Sequence, residues 1–185
     1  MIYFTSDLHF GHDREFIWGP RGFKSSQEHD ATIIKNWNKM ITEDDDVYIL
    51  GDLMLGDNEA GRKKLAQLNG KLHIIWGNHD TVPRKEIYSK LHNVVEVCDY
   101  ATMIKVNGYS LYLSHFPTIT SNLEKESLKR ATLGLFGHTH QQTNFYQDTP
   151  FIYHVGLDSH DNKPVSFETV IADMEKEVKK CLNYL

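Results

Sequence analysis

Five short apolar runs in this chain each end in a group able to hold a metal ion. Asp7-Leu-His9 follows Ile2–Thr5, Gly51-Asp52 follows Val47–Leu50, and Gly77-Asn78-His79-Asp80 follows Leu72–Trp76. Ser114-His115 follows Leu111–Leu113, and Gly137-His138-Thr139-His140 follows Leu133–Phe136. Three of these tips carry a glycine before the ligand, where the absent Cβ permits a tight turn and close approach. Asp7 and His9 are two apart, so on an extended segment they face one side, and His138 and His140 repeat that spacing. The inventory is three carboxylates, four histidines besides His79, and Asn78, with no thiolate. That is too many ligands for one tetrahedral zinc, and it suits two divalent first-row ions sharing a carboxylate. Two such ions roughly 3.5–4 Å apart can clamp the attacking and leaving oxygens of an in-line displacement at phosphorus.

The five tips lie far apart in sequence, so a sheet must bring them together. In sheets flanked by helices, ligands bind beyond the carboxyl ends of the strands. Further apolar runs at Val94–Val97, Met103–Val106 and Phe151–Val155 also read as strands. Between the early strands lie helical patterns. Ser25 and Glu28 form a capping box ahead of Ile33, Ile34, Trp37 and Ile41; Asp57 caps a second helix expected to end at Asn69-Gly70; and Pro83 opens a third running to about Leu91. Ser166 caps a C-terminal helix with Phe167, Val170, Ile171, Met174, Val178, Cys181 and Leu182 on one face, which makes Cys181 a buried apolar residue. Cys98 reads the same way within its strand. Asn107-Gly108 between alternating runs marks a two-residue hairpin. The segment from Pro117 to Arg130 reads equally as a short helix or a loop. The pattern implies an α/β fold of two packed sheets, mixed and partly antiparallel, flanked by helices.

Length and composition agree with one domain spanning residues 1–185. The chain is 40% hydrophobic and 24% charged, with a formal net charge of −5 and two cysteines. That balance excludes disordered and disulfide-rich classes and argues against an extensive nucleic-acid footprint. With no leader and no apolar stretch near the ~18 residues of a membrane span, the expected location is cytoplasmic, with no membrane partner. Eleven histidines in 185 residues is the unusual item.

The five motifs, D-x-H, G-D, G-N-H-D, an isolated H and G-H-x-H, occur in order between residues 7 and 140, and together they resemble the calcineurin-like metallophosphoesterase superfamily. The resemblance implies that Asp7, His9 and His140 hold one metal, that Asn78, His115 and His138 hold the other, and that Asp52 bridges them. It implies a hydroxide between two divalent ions as nucleophile, manganese foremost with iron, zinc and nickel as alternatives. His79 falls at the family's general acid. The implied fold is a four-layer sandwich, and the implied substrate a small phosphomonoester or phosphodiester, a nucleotide included. One departure concerns the protein-phosphatase branch, which continues the second motif as G-D-x-x-D-R-G. Here the run is Gly51-Asp52-Leu53-Met54-Leu55-Gly56-Asp57, so a protein phosphatase is disfavoured and Asp80 is the candidate, by adjacency alone, for orienting His79.

Taken singly, each motif residue also reads as a turn, a cap or a core histidine. Taken jointly, those readings must all hold at once. His12 and Arg14 are close enough to the first motif to contact a bound phosphate, and Trp18 to stack on a base, although ordinary loop roles fit equally well. His29, His73, His92 and His160 read as surface or structural residues and His154 as packed. The basic runs Arg62-Lys-Lys64 and Lys176 to Lys180 read as solvated helix faces. Two rival functions remain at this level: a catalytically silent scaffold for protein interaction, and a nuclease.

Overall fold

The computed structural model describes residues 1–120, 127–147 and 149–183. Strands and helices alternate through the first half: β1 (Ile2–Thr5), α1 (Glu15–Trp18), α2 (Ser26–Met40), β2 (Asp46–Leu50), α3 (Asn58–Leu65), β3 (Lys71–Ile75), α4 (Val82–Tyr88) and β4 (Val94–Cys98). Strands then follow closely: β5 (Ala101–Val106), β6 (Tyr109–Ser114), β7 (Thr132–Phe136), β8 (Phe145–Tyr146) and β9 (Thr149–His154). A 3-10 turn at Leu157–Ser159 leads to β10 (Val165–Ser166) and α5 (Phe167–Asn183).

The fold is α/β with two mixed sheets. The first has the order β10-β1-β2-β3-β4 and is parallel except for β10. The second has the order β5-β6-β7-β9-β8, with parallel pairs at its centre and antiparallel pairs at both margins. Alternation along the first sheet sorts its side chains into two cores. Val47, Ile49, Leu72 and Ile74 pack with Ile33 and Trp37 of α2, Ile41 just after it, Leu65 of α3 and Tyr88 of α4. Phe4, Leu50 and Ile75 instead pack with Leu111, Leu113, Leu133, Leu135 and Tyr153 of the second sheet. Helix α5 enters this inter-sheet core through Phe167, Val170, Ile171 and Met174, and Phe167 meets Tyr109 at the start of β6, away from the strand tips. On the outer face of the second sheet, Thr118, shortly after β6, lies over Gly134, with its carbonyl oxygen 3.2 Å from where a Cβ would stand.

Local chemistry accounts for the helix starts. Ser25 Oγ accepts from Glu28 N, while the Glu28 carboxylate reaches back to Lys24 N, one residue before the expected box. Trp37 is fully buried with its indole N–H on the Asn69 carbonyl, and Trp37→Ala would cost about 3–5 kcal/mol. Asn107 and Gly108 both have positive φ, the type I′ geometry that sets β5 against β6.

Several boundaries differ from the expectations. The second predicted helix, α3, ends at Leu65, not at Asn69-Gly70; tighter turns continue through Leu68, and Gly70 reverses the chain at φ +100°. Likewise α4 ends at Tyr88, with 3-10-type bonds carrying on to Leu91. α1, β8 and β10 have two to four residues each, too short for any periodicity to reveal. Ser166 both ends β10 and caps α5 by accepting from Thr169 N. Cys181 is exposed, against expectation, because α5 is buried through Met174, half-buried at Val178, and then runs past its neighbours; Cys98 is half-buried. The side chain of Leu182 and residues 121–126 of the ambiguous segment fall outside the described residues, and 117–120 carry no regular structure. Among the described residues, no helix is long and apolar enough to cross a membrane.

Candidate metal centre

The tips of β1, β2, β3, β6 and β7 lead to one place. The chain after β1 stays zipped to the chain after β2: Asp7 N donates to Gly51 O, His9 N to Asp52 O and Phe10 N to Leu53 O, at 3.0–3.1 Å. This extends the parallel ladder beyond the strands and fixes Asp7, His9 and Asp52 together. Only glycine fits at the crossings. A Cβ on Gly51, at φ +87°, would stand 2.6 Å from Gly77 N and from His115 Nδ1, and one on Gly137 would stand 2.3 Å from Ser6 Oγ.

Asp7 and His9 do not share a side by lying on an extended segment. Both are left-handed, at φ 58° and 49°, as are Asp52, His138 and His140 at 57°, 67° and 49°. Among the described residues these are five of ten non-glycine residues with positive φ, each costing of order 1–3 kcal/mol, a strain that typically concentrates at functional sites.

Two side-chain clusters result. In the first, His9 Nε2 lies 3.2 Å from His140 Nε2, and each lies 3.8 Å from Asp7 Oδ1. In the second, Asn78 Oδ1 is 2.8 Å from His115 Nε2 and 2.9 Å from His138 Nδ1. Asp52 stands between them: its Oδ2 is 3.8 Å from His9 Nε2 and 3.5 Å from His115 Nε2. Asp7, Asp52 and His115 also each present an atom within 4.8 Å of the others. Asp7, His9, Asp52 and His115 form a buried floor, whereas Asn78, His79, His138 and His140 form a rim reached by solvent.

The donors fit divalent ions. Asp7 Oδ2 accepts from Ser6 Oγ and His138 N, but Asp7 Oδ1 is buried without a hydrogen-bond partner and faces the two imidazoles. Such an orphaned carboxylate oxygen is costly unless a cation or donor meets it. Burial, reinforced by His140 and Arg21, keeps His9 neutral, as a ligand must be, and burial lowers His138. Burial also pushes the Asp52 carboxyl up, with Asp7 adding to the effect against His115. His115 Nδ1 donates to Leu50 O, which leaves Nε2 free to bind.

His79 sits on the rim with a half-exposed side chain, its Nε2 3.9 Å from Asp52 Oδ2. Its backbone is held on both sides, N–H on Asp52 Oδ1 and carbonyl on Arg84 Nη1. Asp80, the candidate for orienting His79, does something else. Its carboxylate accepts from Asp52 N, Gly77 N and the Tyr88 hydroxyl, and so ties the loops that carry Asp52 and Asn78 to α4. His12 is buried edge-on to His9 at 5.6 Å between ring centroids. Arg14 is exposed beside it, its N–H on His12 Nδ1. Trp18 is half-buried in α1 with its indole N–H unpartnered.

Two residues escaped the sequence reading. Asp158 Oδ2 accepts a hydrogen bond from His140 Nδ1 at 3.0 Å, and Arg21 grips Asp158 with two bonds, at 3.0 and 2.7 Å. A signal for Asp158 was present, since Gly156-Leu-Asp158 follows a strand just as the other tips do; Arg21 had none. The same network makes His29 structural, one of the two readings open to it, and corrects that of Lys64. His29 is buried between Arg21 and Asp30, and Lys64 is no solvated bystander but lies 2.6 Å from Asp30 Oδ2. Of the other histidines, His73 pairs with Asp46 and Glu96, His92 is exposed, and His160 stacks on Tyr153. His154 is packed, with Nδ1 on Ser159 Oγ.

Comparison with known proteins follows the same lines. The Methanocaldococcus jannaschii protein MJ1445 is 32% identical over 193 residues, covering 100% of this chain and 97% of that protein. The gene 66 protein of Mycobacterium phage D29 is 30% identical over 205 residues, covering 95% and 98%. The crystal structure of AQ665 from Aquifex aeolicus shares the fold with a TM-score of 0.72 at 24% identity, covering 93% of this chain and 98% of that one. The model of the calcineurin-like phosphoesterase superfamily domain matches residues 1–177, and the chain belongs to that superfamily.

Proposed function

We propose that this protein is a di-metal phosphoester hydrolase acting on a small phosphomonoester or phosphodiester, a nucleotide included. One observation carries the reading: a single oxygen, Asp52 Oδ2, faces both clusters, 3.8 Å from His9 Nε2 and 3.5 Å from His115 Nε2. Asp7, His9 and His140 would hold one ion, Asn78, His115 and His138 the other, with Asp52 shared. When bound, the pair of ions lowers the pKa of water and neutralises charge on the phosphoryl oxygens, and manganese suits this mixed N/O donor set, with iron, zinc and nickel as alternatives.

The chain's own residues supply position and a proton. Asp80 holds the Asp52 and Gly77 amides, so the shared carboxylate and the Asn78–His79 loop move as one unit. His79, half-exposed beside Asp52, would protonate the leaving oxygen, a contribution typically worth about 10²–10⁴-fold. His12 and Arg14, beside His9, complete the reading as contacts to the phosphoryl group. The rim is exposed at Asn78, His79 and His138, which admits small substrates of several shapes.

The test is to load the purified protein with Mn²⁺ and assay a panel of aryl phosphomonoesters, linear phosphodiesters and cyclic nucleotides. Two bound ions with metal-dependent hydrolysis of at least one ester class is the expected result. Two bound ions with no hydrolysis across the panel would favour the scaffold reading instead.

A further inference from the structure

The candidate ligand histidines are backed unequally. His115 donates Nδ1 to a neutral backbone carbonyl, and His9 Nδ1 is buried without a partner. His138 turns its Nδ1 into its cluster. His140 alone donates to a carboxylate, that of Asp158. Asp158 in turn cannot swing away, because Arg21 holds both its oxygens and the two side chains are 4% and 1% exposed. Arg21 also donates to the Asp7 carbonyl at 2.9 Å. One guanidinium therefore reaches two residues of the first cluster, Asp7 through its backbone and His140 through Asp158, and it makes no such contact with Asn78, His115 or His138.

Arg21 is itself held in place. Its Nη1 meets His29 Nε2 at 3.0 Å, His29 Nδ1 meets Asp30 Oδ1 at 2.8 Å, and Asp30 Oδ2 accepts from Gly11 N and Lys64 Nζ. The array runs from the first cluster through the turn after α1 to α2 and α3. A carboxylate behind an imidazole fixes its tautomer and raises the basicity of the nitrogen facing the ion. A guanidinium fork fixes the carboxylate in both position and plane.

We propose that Asp158, locked by Arg21, is the positioning residue of the Asp7–His9–His140 ion site and governs the affinity of that site alone. The inference rests on the di-metal reading above. The second site, built on Asn78, His115 and His138, does not depend on the pair.

The test is Mn²⁺ titration by calorimetry with elemental analysis, on wild-type protein, Asp158→Asn and Arg21→Lys. Electron paramagnetic resonance reports whether bound manganese is coupled in pairs or isolated. Wild type should take up two ions and give a coupled spectrum. Asp158→Asn should retain one ion at wild-type affinity, lose about 10–100-fold in affinity for the other, and give the isolated-ion spectrum at substoichiometric metal. Arg21→Lys, which keeps the charge but not the fork, should weaken the same step by less. Thermal melting of the metal-free variants checks that they are folded, and a general loss of structure would weaken both steps together. Folded Asp158→Asn protein that binds both ions within twofold of wild type, or that weakens both equally, would overturn the assignment. Wild-type protein that takes up no ion would overturn the di-metal reading and this inference with it.

Discussion

Replacing Asp52 by Asn should move stability in opposite directions with and without metal. An oxygen of Asp52 lies within 4.8 Å of an oxygen of Asp7, and both residues are at most 2% exposed. At that separation and an effective dielectric of about 20, two full negative charges repel by about 3.5 kcal/mol. Burial already raises the Asp52 carboxyl, so part of that repulsion is relieved by protonation. Asn keeps the acceptor for His79 N and turns an NH₂ toward the imidazole nitrogens of His9 and His115. Metal-free Asp52→Asn should therefore gain about 1–3 kcal/mol, or roughly 2–12 °C in melting temperature for a chain of this size.

With metal the sign reverses. Losing the shared carboxylate should weaken both ions by about 100-fold, close to 2.7 kcal/mol for each. A group whose folded pKa is raised contributes stability that is present below its unfolded value and lost as pH rises through the folded one. In chelator, wild type should lose stability as pH rises from about 3.8 through the raised Asp52 value, and Asp52→Asn should lack that slope. Scanning calorimetry in chelator and in Mn²⁺, with elemental analysis, reads all three. Metal-free Asp52→Asn melting at or below wild type, or wild-type metal content in the variant, would refute the shared-carboxylate reasoning.

Three further outcomes are expected. His79→Ala should slow esters with alkyl leaving groups by about 10²–10⁴-fold and nitrophenyl esters far less, because a nitrophenolate needs little protonation; an equal loss on both would remove the general-acid role. Gly77→Ala places a Cβ 2.3 Å from Asp52 Oδ1 and 2.6 Å from Asp52 N, so it should cost about 1–3 kcal/mol and lower the content of both ions, checked by melting and metal analysis. His154 is buried and its pKa is lowered to about 4, so its neutral form stabilises the fold above the unfolded value of 6.5 and that stability drains away as pH falls toward 4. The shift amounts to about 3 kcal/mol, and His154→Asn should flatten the acid limb of a denaturation series accordingly; an unchanged limb would contradict it.

The sequence by itself determined the kinds of element and the inventory of chemistry. Strand periodicity, the Ser25 cap, the Asn107-Gly108 turn and the order of the strand tips are local properties, set by neighbours within a few residues. The same locality explains why the glycines before Asp52, Asn78 and His138 could be read, since each marks where backbone must pass close to something. What it passes close to was not legible. That Asp52 presents one oxygen to two clusters, that Asp7 and His9 reach them from left-handed backbone, and that Asp80 anchors loops instead of orienting His79 all depend on the pairing of β1, β2 and β3. Arg21 and Asp158, 137 residues apart, meet only because the chain after β9 is brought alongside the end of β1, where Gly156 bridges Ser6. A buried ion pair carries no local periodicity or turn chemistry, because its energy comes from desolvation and from a partner that only the tertiary fold supplies.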